Sequence, residues 1–252
     1  MRANGIGTSL VLNGLVVASV VAVAVAGFGS GAAAGVRVIH ASPDAPNVDV
    51  YVNGTPGVGA PAISNLAFRS ATPYIALPSA NYNFKVTPFG AAAPVVIDAN
   101  ASINAGTDYS VVAVNFLTSI SPLVLVDDNT IDPNAARVRF VHASPDVPAV
   151  DIFAAGVTQP LFNAVTFGTS GGYVSVPAGS YDLSVALDSN GFTALNVPGV
   201  TLQAGSVYTI FAMGSLRDNN VQAVAFVDAV IPSPGAAALL GLAAVVGGRR
   251  RR

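Results

Sequence analysis

The chain's only two histidines occupy the same place in a phrase that occurs twice. His40-Ala41-Ser42-Pro43-Asp44 leads on to Asp49, and His142-Ala143-Ser144-Pro145-Asp146 leads on to Asp151. An imidazole close in sequence to two carboxylates is a donor set for a divalent cation, and the same groups can hydrogen-bond sugar hydroxyls. His40, Asp44 and Asp49, with their copies His142, Asp146 and Asp151, are therefore the first candidate ligand residues. The same spacing also builds a plain structural turn. Ser42-Pro43 and Ser144-Pro145 force an extended approach, and Asp44 and Asp146 stand where an Asx turn would form.

A second oxygen-rich segment joins the two copies. Asp127, Asp128, Asn129 and Asp132 are candidate calcium donors in a stretch that otherwise reads as a solvated linker. It is no EF-hand loop, because position five counted from Asp127 is Ile131 and position six counted from Asp128 is Pro133 rather than Gly. Gly168-Thr169-Ser170-Gly171-Gly172 satisfies the G-x-S-x-G pattern, but a nucleophile elbow needs a strand-to-helix turn in an α/β sheet. The first copy has Arg69-Ser70-Ala71-Thr72-Pro73 there. All thirteen acidic residues are Asp, and there is no Cys. Paired-carboxylate, triad and thiolate chemistry thus have little material, and a non-enzyme with no catalytic residue is expected. No cofactor is expected beyond a divalent cation.

The elements that carry these residues repeat. Val36 to Tyr51 returns as Val138 to Phe153 at an offset of 102. Further on the offset is 99, matching Phe68 with Phe167, Tyr74 with Tyr173, Tyr82 with Tyr181 and Tyr109 with Tyr208. Val126-Asp127 and Val227-Asp228 close the two copies. Val48, Val50 and Val52 alternate with Asp49 and Tyr51, and Tyr181, Leu183, Val185 and Leu187 alternate in the second copy, the period-two pattern of half-buried strands. Asn53-Gly54, Pro177-Ala178-Gly179 and Asn190-Gly191 are turn signals. Ala80 stands where the second copy has Gly179, so a positive backbone angle there would pass to Asn81. About seven short strands in each copy suit a sandwich of two antiparallel sheets. The segments ending in Tyr109 and Tyr208 read as tyrosine corners.

The predicted fold is all-β: two tandem antiparallel β-sandwich domains, Ig-like or transthyretin-like Greek keys, flanked by an N-terminal signal helix and a short C-terminal apolar helix. The expected divisions are a signal peptide over 1–34, sandwich repeats over 35–131 and 138–230, a linker over 132–137, and a C-terminal sorting signal over 231–252. Of 252 residues, 52% are hydrophobic and 10% charged, and the formal net charge is −2. Setting aside Arg2 and the four terminal arginines leaves six basic residues against thirteen Asp, a body of net −7. That charge argues against nucleic acid as a partner.

The ends read as addresses. Met1-Arg2, an apolar run from Leu10 to Phe28, and a small-x-small close at Ala32 and Ala34 form a secretory signal, with signal peptidase cutting after Ala34. At the other end Pro232-Ser233-Pro234 precedes thirteen uncharged residues, Ala236 to Gly248, and then Arg249, Arg250, Arg251 and Arg252. Thirteen helical residues reach about 20 Å, short of a roughly 30 Å hydrocarbon core. The arginines would hold that end on the cytoplasmic side. This tail resembles the PEP-CTERM sorting signals of bacterial surface proteins, in a Pro-Ser-Pro variant with Ser233 where the signature has Glu. The resemblance implies an exosortase-like membrane enzyme as a partner.

The repeated His-Ala-Ser-Pro-Asp-x-Pro-x-Val-Asp phrase, with Pro-Ala-Gly-x-Tyr in the second copy, resembles the bacterial family known as domain of unknown function 4397. That resemblance covers both repeats and implies a secreted or surface β-sandwich module, with no catalytic residues to carry over. The expected function is a non-catalytic protein of the bacterial envelope or extracellular matrix, structural or adhesive, in contact with exopolysaccharide or other surface proteins. The alternative is a carbohydrate- or cation-binding module using the repeated turns.

Overall fold

The computed structural model describes residues 16–18 and 33–231. The rest of the predicted signal segment and the whole predicted sorting tail from Pro232, with its apolar helix, lie outside the described residues. Within the signal segment, Val16–Ala18 is an extended strand, β1, rather than helix.

Each repeat forms eight strands in two four-stranded sheets. Repeat 1 runs through β2 (Ala34–His40), β3 (Val48–Val52), β4 (Ile63–Leu66), β5 (Ile75–Leu77), β6 (Ala80–Pro88), β7 (Ile97–Ile103), β8 (Asp108–Val114) and β9 (Ser121–Asp127). Repeat 2 runs through β10 (Ala135–His142), β11 (Val150–Ala154), β12 (Phe162–Val165), β13 (Val174–Pro177), β14 (Gly179–Leu187), β15 (Thr193–Leu202), β16 (Ser206–Met213) and β17 (Gln222–Val230). One strand more than expected appears per repeat, because β5 and β13 are too short to show a period-two pattern. The segment between β9 and β10 spans residues 128–134, so residues 135–137 of the predicted linker are already strand.

The sheet orders are β5-β2-β8-β9 and β4-β3-β6-β7 in repeat 1, and β13-β10-β16-β17 and β12-β11-β14-β15 in repeat 2, with β1 added outside β17. β2 runs parallel to β8, and β10 parallel to β16. In the immunoglobulin arrangement the first strand pairs with the second. Here it lies between the fourth and the seventh, so the strand order is not the immunoglobulin one. Tyr109 and Tyr208 are buried, and their hydroxyls accept from the backbone N–H of Asn104 (3.4 Å) and Gln203 (3.1 Å), as the tyrosine-corner reading predicts. Neither Asn81 nor Gly179 has a positive φ; both lie within ordinary strands.

Alternation along the parallel strands explains why the repeats do not behave as beads on a string. Val36 and Val38, like Val138 and Phe140, point into their own sandwich cores. The opposite faces of the same strands also carry apolar residues, and these meet one another. Ile39, Val112 and Leu125 of repeat 1 pack with Val141, Phe211 and Phe226 of repeat 2 in one buried cluster. β16 is buried at every position. The two sandwiches therefore stack as four layers, with the central strands of the inner sheets, β2, β8, β10 and β16, largely buried on both faces.

Candidate functional site

The repeated turn is built on a buried imidazole. His40 and His142 are fully buried. Nδ1 of His40 accepts from the Ser42 amide at 3.3 Å, and Nε2 lies 3.0 Å from the Pro46 carbonyl. His142 makes the same pair of contacts with Ser144 and Pro148 at the same distances. An accepting Nδ1 fixes the neutral tautomer with the proton on Nε2, which donates to the proline carbonyl. Both ring nitrogens are therefore occupied, and ligation of a cation would require breaking the turn. Burial lowers both imidazole pKa values below the ordinary 6.5.

Because the unfolded chain binds these protons at higher pH than the folded chain, stability is full above pH 6.5 and declines as pH falls below it. The decline is at most about 1.4 kcal/mol per pH unit for each histidine. Urea denaturation at pH 7 and 5.5 should show the lower midpoint at 5.5; identical midpoints would contradict neutral, buried imidazoles.

The carboxylates go elsewhere. An Asx turn at Asp44 would need the amide two residues on, but that residue is Pro46, which has none; Pro148 forbids it likewise after Asp146. Each carboxylate instead holds the loop between the last two strands of its repeat. Asp44 Oδ1 accepts from the Leu117 amide at 2.6 Å, and Asp146 accepts from the amides of Leu216 and Arg217 at 2.8 and 2.9 Å. Asp49 accepts from Ser64 Oγ (3.0 Å) and the amides of Asn65 and Gly90 (both 2.9 Å). Burial alone would raise its pKa, but these donors hold it below the ordinary value. Asp151 accepts from the Ala164 amide at 2.7 Å.

Asn65 and Ala164 both take left-handed backbone angles, with φ of 57° and 49°. Asn tolerates that conformation and Ala does not. Ala164→Asn should therefore stabilise the chain, by roughly 0.5–1 kcal/mol, read as a rise in denaturation midpoint; a fall would show that the strain is absent.

The linker donors also disperse. Asp128 pairs with Arg137 at 2.7 Å, and that hydrogen bond is the main cause holding its carboxyl well below the usual range. Asn129 donates to Asp108 at 2.7 Å, and Asp132 accepts from the Asn134 amide at 2.9 Å. Among the described residues no three His, Asp, Glu or Cys side chains converge on a point that could hold a metal. Neither the His40, Asp44, Asp49 set nor its copy forms a cluster, and nor does the linker set. Gly168 to Gly172 lies between β12 and β13, where Ser170 bridges to Val141 and a strand follows. The apolar cavities in the two sandwich cores are small, about 60 Å³ in repeat 1 and about 30 Å³ in repeat 2.

The buried ion pairs of the molecule sit between the stacked inner sheets. Arg37 Nη1 of repeat 1 lies 2.7 Å from Asp228 of repeat 2, and Arg139 of repeat 2 donates to Asp127 of repeat 1 at 2.5 Å. Within each repeat a hydroxyl bridges the arginine to its own aspartate. Arg37 Nε donates to Ser110 (2.7 Å), which donates to Asp127 (2.6 Å); Arg139 Nε donates to Thr209 (3.2 Å), which donates to Asp228 (2.5 Å). Tyr74 and Tyr173 lie under the two guanidinium groups at 4.9 and 4.8 Å.

All four charged side chains are nearly inaccessible. Burial lowers the Arg37 pKa, but facing Asp228, Tyr74 and Asp127 carries it above the ordinary range. Burial raises the Asp228 carboxyl, with Arg37 and Thr209 pulling against it. Tyr173 is pushed up to about 12, chiefly by burial. Each arginine contacts the aspartate of the other repeat in a reciprocal exchange, the signature of an isologous interface. Buried arginines at matched repeat positions in β2 and β10, together with the matched Val-Asp endings, were the available signal.

The model for the domain of unknown function DUF4397 matches residues 34–153 and 136–242. The chain belongs to the DUF4397 family. The matches take in both His-Ala-Ser-Pro-Asp turns and the strands that carry the exchanged ion pairs, so this DUF4397 protein holds two family modules in one chain. No curated protein matches it. Two solved structures are similar at low scores. One is CBMbc, a family CBM26 module of Eubacterium rectale Amy13K, in complex with maltoheptaose: 13% identical, covering 79% of this chain and 98% of that one, TM-score 0.24. The other is described as "Alpha-glucan binding by a streptococcal virulence factor": 11% identical, covering 75% and 95%, TM-score 0.24. In this DUF4397 chain the repeated His ties the turn to itself and the repeated Asp ties it to the neighbouring loop.

Proposed function

We propose that the protein is a non-catalytic structural or adhesive component of a bacterial envelope or extracellular matrix. It would be exported through its N-terminal segment and sorted by an exosortase-like enzyme through its PEP-CTERM-like C-terminal tail. The observation that supports the reading is the internal use of the repeated motif's His and Asp side chains. His40, Asp44, Asp49 and their copies are bonded within the fold, and the two modules are joined over a buried face. A body so cross-tied suits mechanical service.

Ligand-free service predicts that thermal melts of residues 33–231 with calcium, zinc or chelator coincide, because a ligand that binds the native state raises the midpoint by mass action. A metal-dependent rise would overturn that part of the reading. Sorting predicts that the native surface product ends at or near Ile231; mass spectrometry finding an intact Arg252 there would contradict it.

A further inference from the structure

Of the chain's asparagines only Asn53 and Asn100 are followed two positions on by serine or threonine, in Asn53-Gly54-Thr55 and Asn100-Ala101-Ser102. Asn-x-Ser/Thr without an intervening proline is the acceptor triplet for N-linked glycan on exported chains. The fold brings the two triplets together. Register sets Val52 opposite Phe84 and Phe84 opposite Ala99, with all three turned to the core of repeat 1. One step along, Asn83 pairs with Asn100 on the outer face, and Asn53 closes the row. The Asn53 amide donates to the Asn83 carbonyl, and Asn53 Oδ1 accepts from the Asn83 amide, both at 2.8 Å. Asn83 Nδ2 donates to Asn100 Oδ1 at 3.1 Å. Asn53 and Asn100 are exposed, and among the described residues the Nδ2 of neither donates to a partner. Repeat 2 does not match this face. Ala155 and Asp182 make the corresponding backbone bond at 2.8 Å, and no asparagine of that repeat heads such a triplet.

We propose that the outer face of repeat 1 is a glycan-bearing face, with Asn53 and Asn100 as acceptors of an oligosaccharide delivered on a lipid diphosphate by a membrane transferase. This rests on the reading that the chain is exported. In the transfer, Nδ2 bonds to the anomeric carbon of the first sugar and that carbon's bond to the diphosphate oxygen breaks. The lipid diphosphate leaves with the electron pair, and one amide proton passes to a base of the transferase. Both acceptors are accessible to such an enzyme. Asn53 lies in a turn just past β3, with φ of 51°, so no strand has to be opened around it. β7 is the outermost strand of its sheet, which leaves the backbone at Asn100 paired on one side only. Asp98 and Ser102 are exposed beside Asn100 on the same face, offering a carboxylate and a hydroxyl for recognition.

Trypsin separates the sites. Cleavage at Arg37, Arg69, Lys85, Arg137, Arg139 and Arg217 puts Asn53 in fragment 38–69, Asn100 in fragment 86–137, and most of repeat 2 in fragment 140–217. In the native product taken from the cell surface, mass spectrometry should find the first two heavier by whole sugar residues and the third at its peptide mass. Thr55→Ala should remove the added mass from 38–69, and Ser102→Ala from 86–137, whereas Ser102→Thr should keep it. Thr55 and Ser102 are exposed, so thermal midpoints should hold; Thr55 is the better target than Asn53, whose left-handed backbone favours asparagine. An unmodified fragment in a product that has lost its N-terminal segment overturns the acceptor it contains while export stands. A product that begins at Met1 and bears no sugar overturns export and glycan together. Sugar on 140–217, or sugar that survives Thr55→Ala and Ser102→Ala, overturns the assignment, because attachment then does not use the triplets.

Discussion

Arg37→Met should be among the most damaging single substitutions in this protein. It leaves Asp228 fully buried with its cross-repeat cation gone, and removes the donor to Ser110. Breaking a buried pair from one side costs about 3–5 kcal/mol, or roughly 6–20 °C in Tm for a chain of this size. The loss comes from the stranded carboxylate, so Asp228→Leu added to Arg37→Met should restore much of it. Hydrophobic replacement of a whole buried pair is often close to neutral. Equal destabilisation in the double variant would show that the ion pair is not the interaction at stake. Arg139→Met should behave alike through Asp127, because the exchange is reciprocal.

Phe226→Ala should cost a similar amount, about 3–5 kcal/mol, for a fully buried aromatic. Phe226 packs edge-to-face on Phe211, with centroids 5.7 Å apart, and lies in the cluster shared by both repeats. Its distinguishing consequence is range. Although the residue belongs to repeat 2, hydrogen exchange should quicken in β6 and β7 of repeat 1 as much as in β14 and β15. Quickening confined to repeat 2 would mean that the modules are stable separately.

The sheet architecture was legible because period-two alternation survives in strands with one wet face, such as β6 and β14. It was hardest to read in β8 and β16, where both faces are buried and only Ser110 and Thr209 interrupt the run beyond Tyr109 and Tyr208. That same run was the sign of a second buried face, which alternation within one copy does not reveal. The His-Ala-Ser-Pro-Asp phrase was legible as a turn, but its hydrogen bonds were not. Asp44 reaches Leu117, distant in sequence, and Pro46 silently removes the local N–H donor an Asx turn needs. The ligand reading of His40, Asp44 and Asp49 failed to form a cluster for the same reason, since each side chain is drawn to a different neighbour. Arg37 and Asp228 belong to opposite ends of the chain, and only the stacking of the two modules brings them together.

The central claim is that the two DUF4397 modules are one body, locked by the exchanged ion pairs and the apolar face around them. Differential scanning calorimetry of residues 33–231 tests it most directly. One transition is expected, with calorimetric and van't Hoff enthalpies that agree. Two transitions, or a calorimetric enthalpy near twice the van't Hoff value, would contradict it.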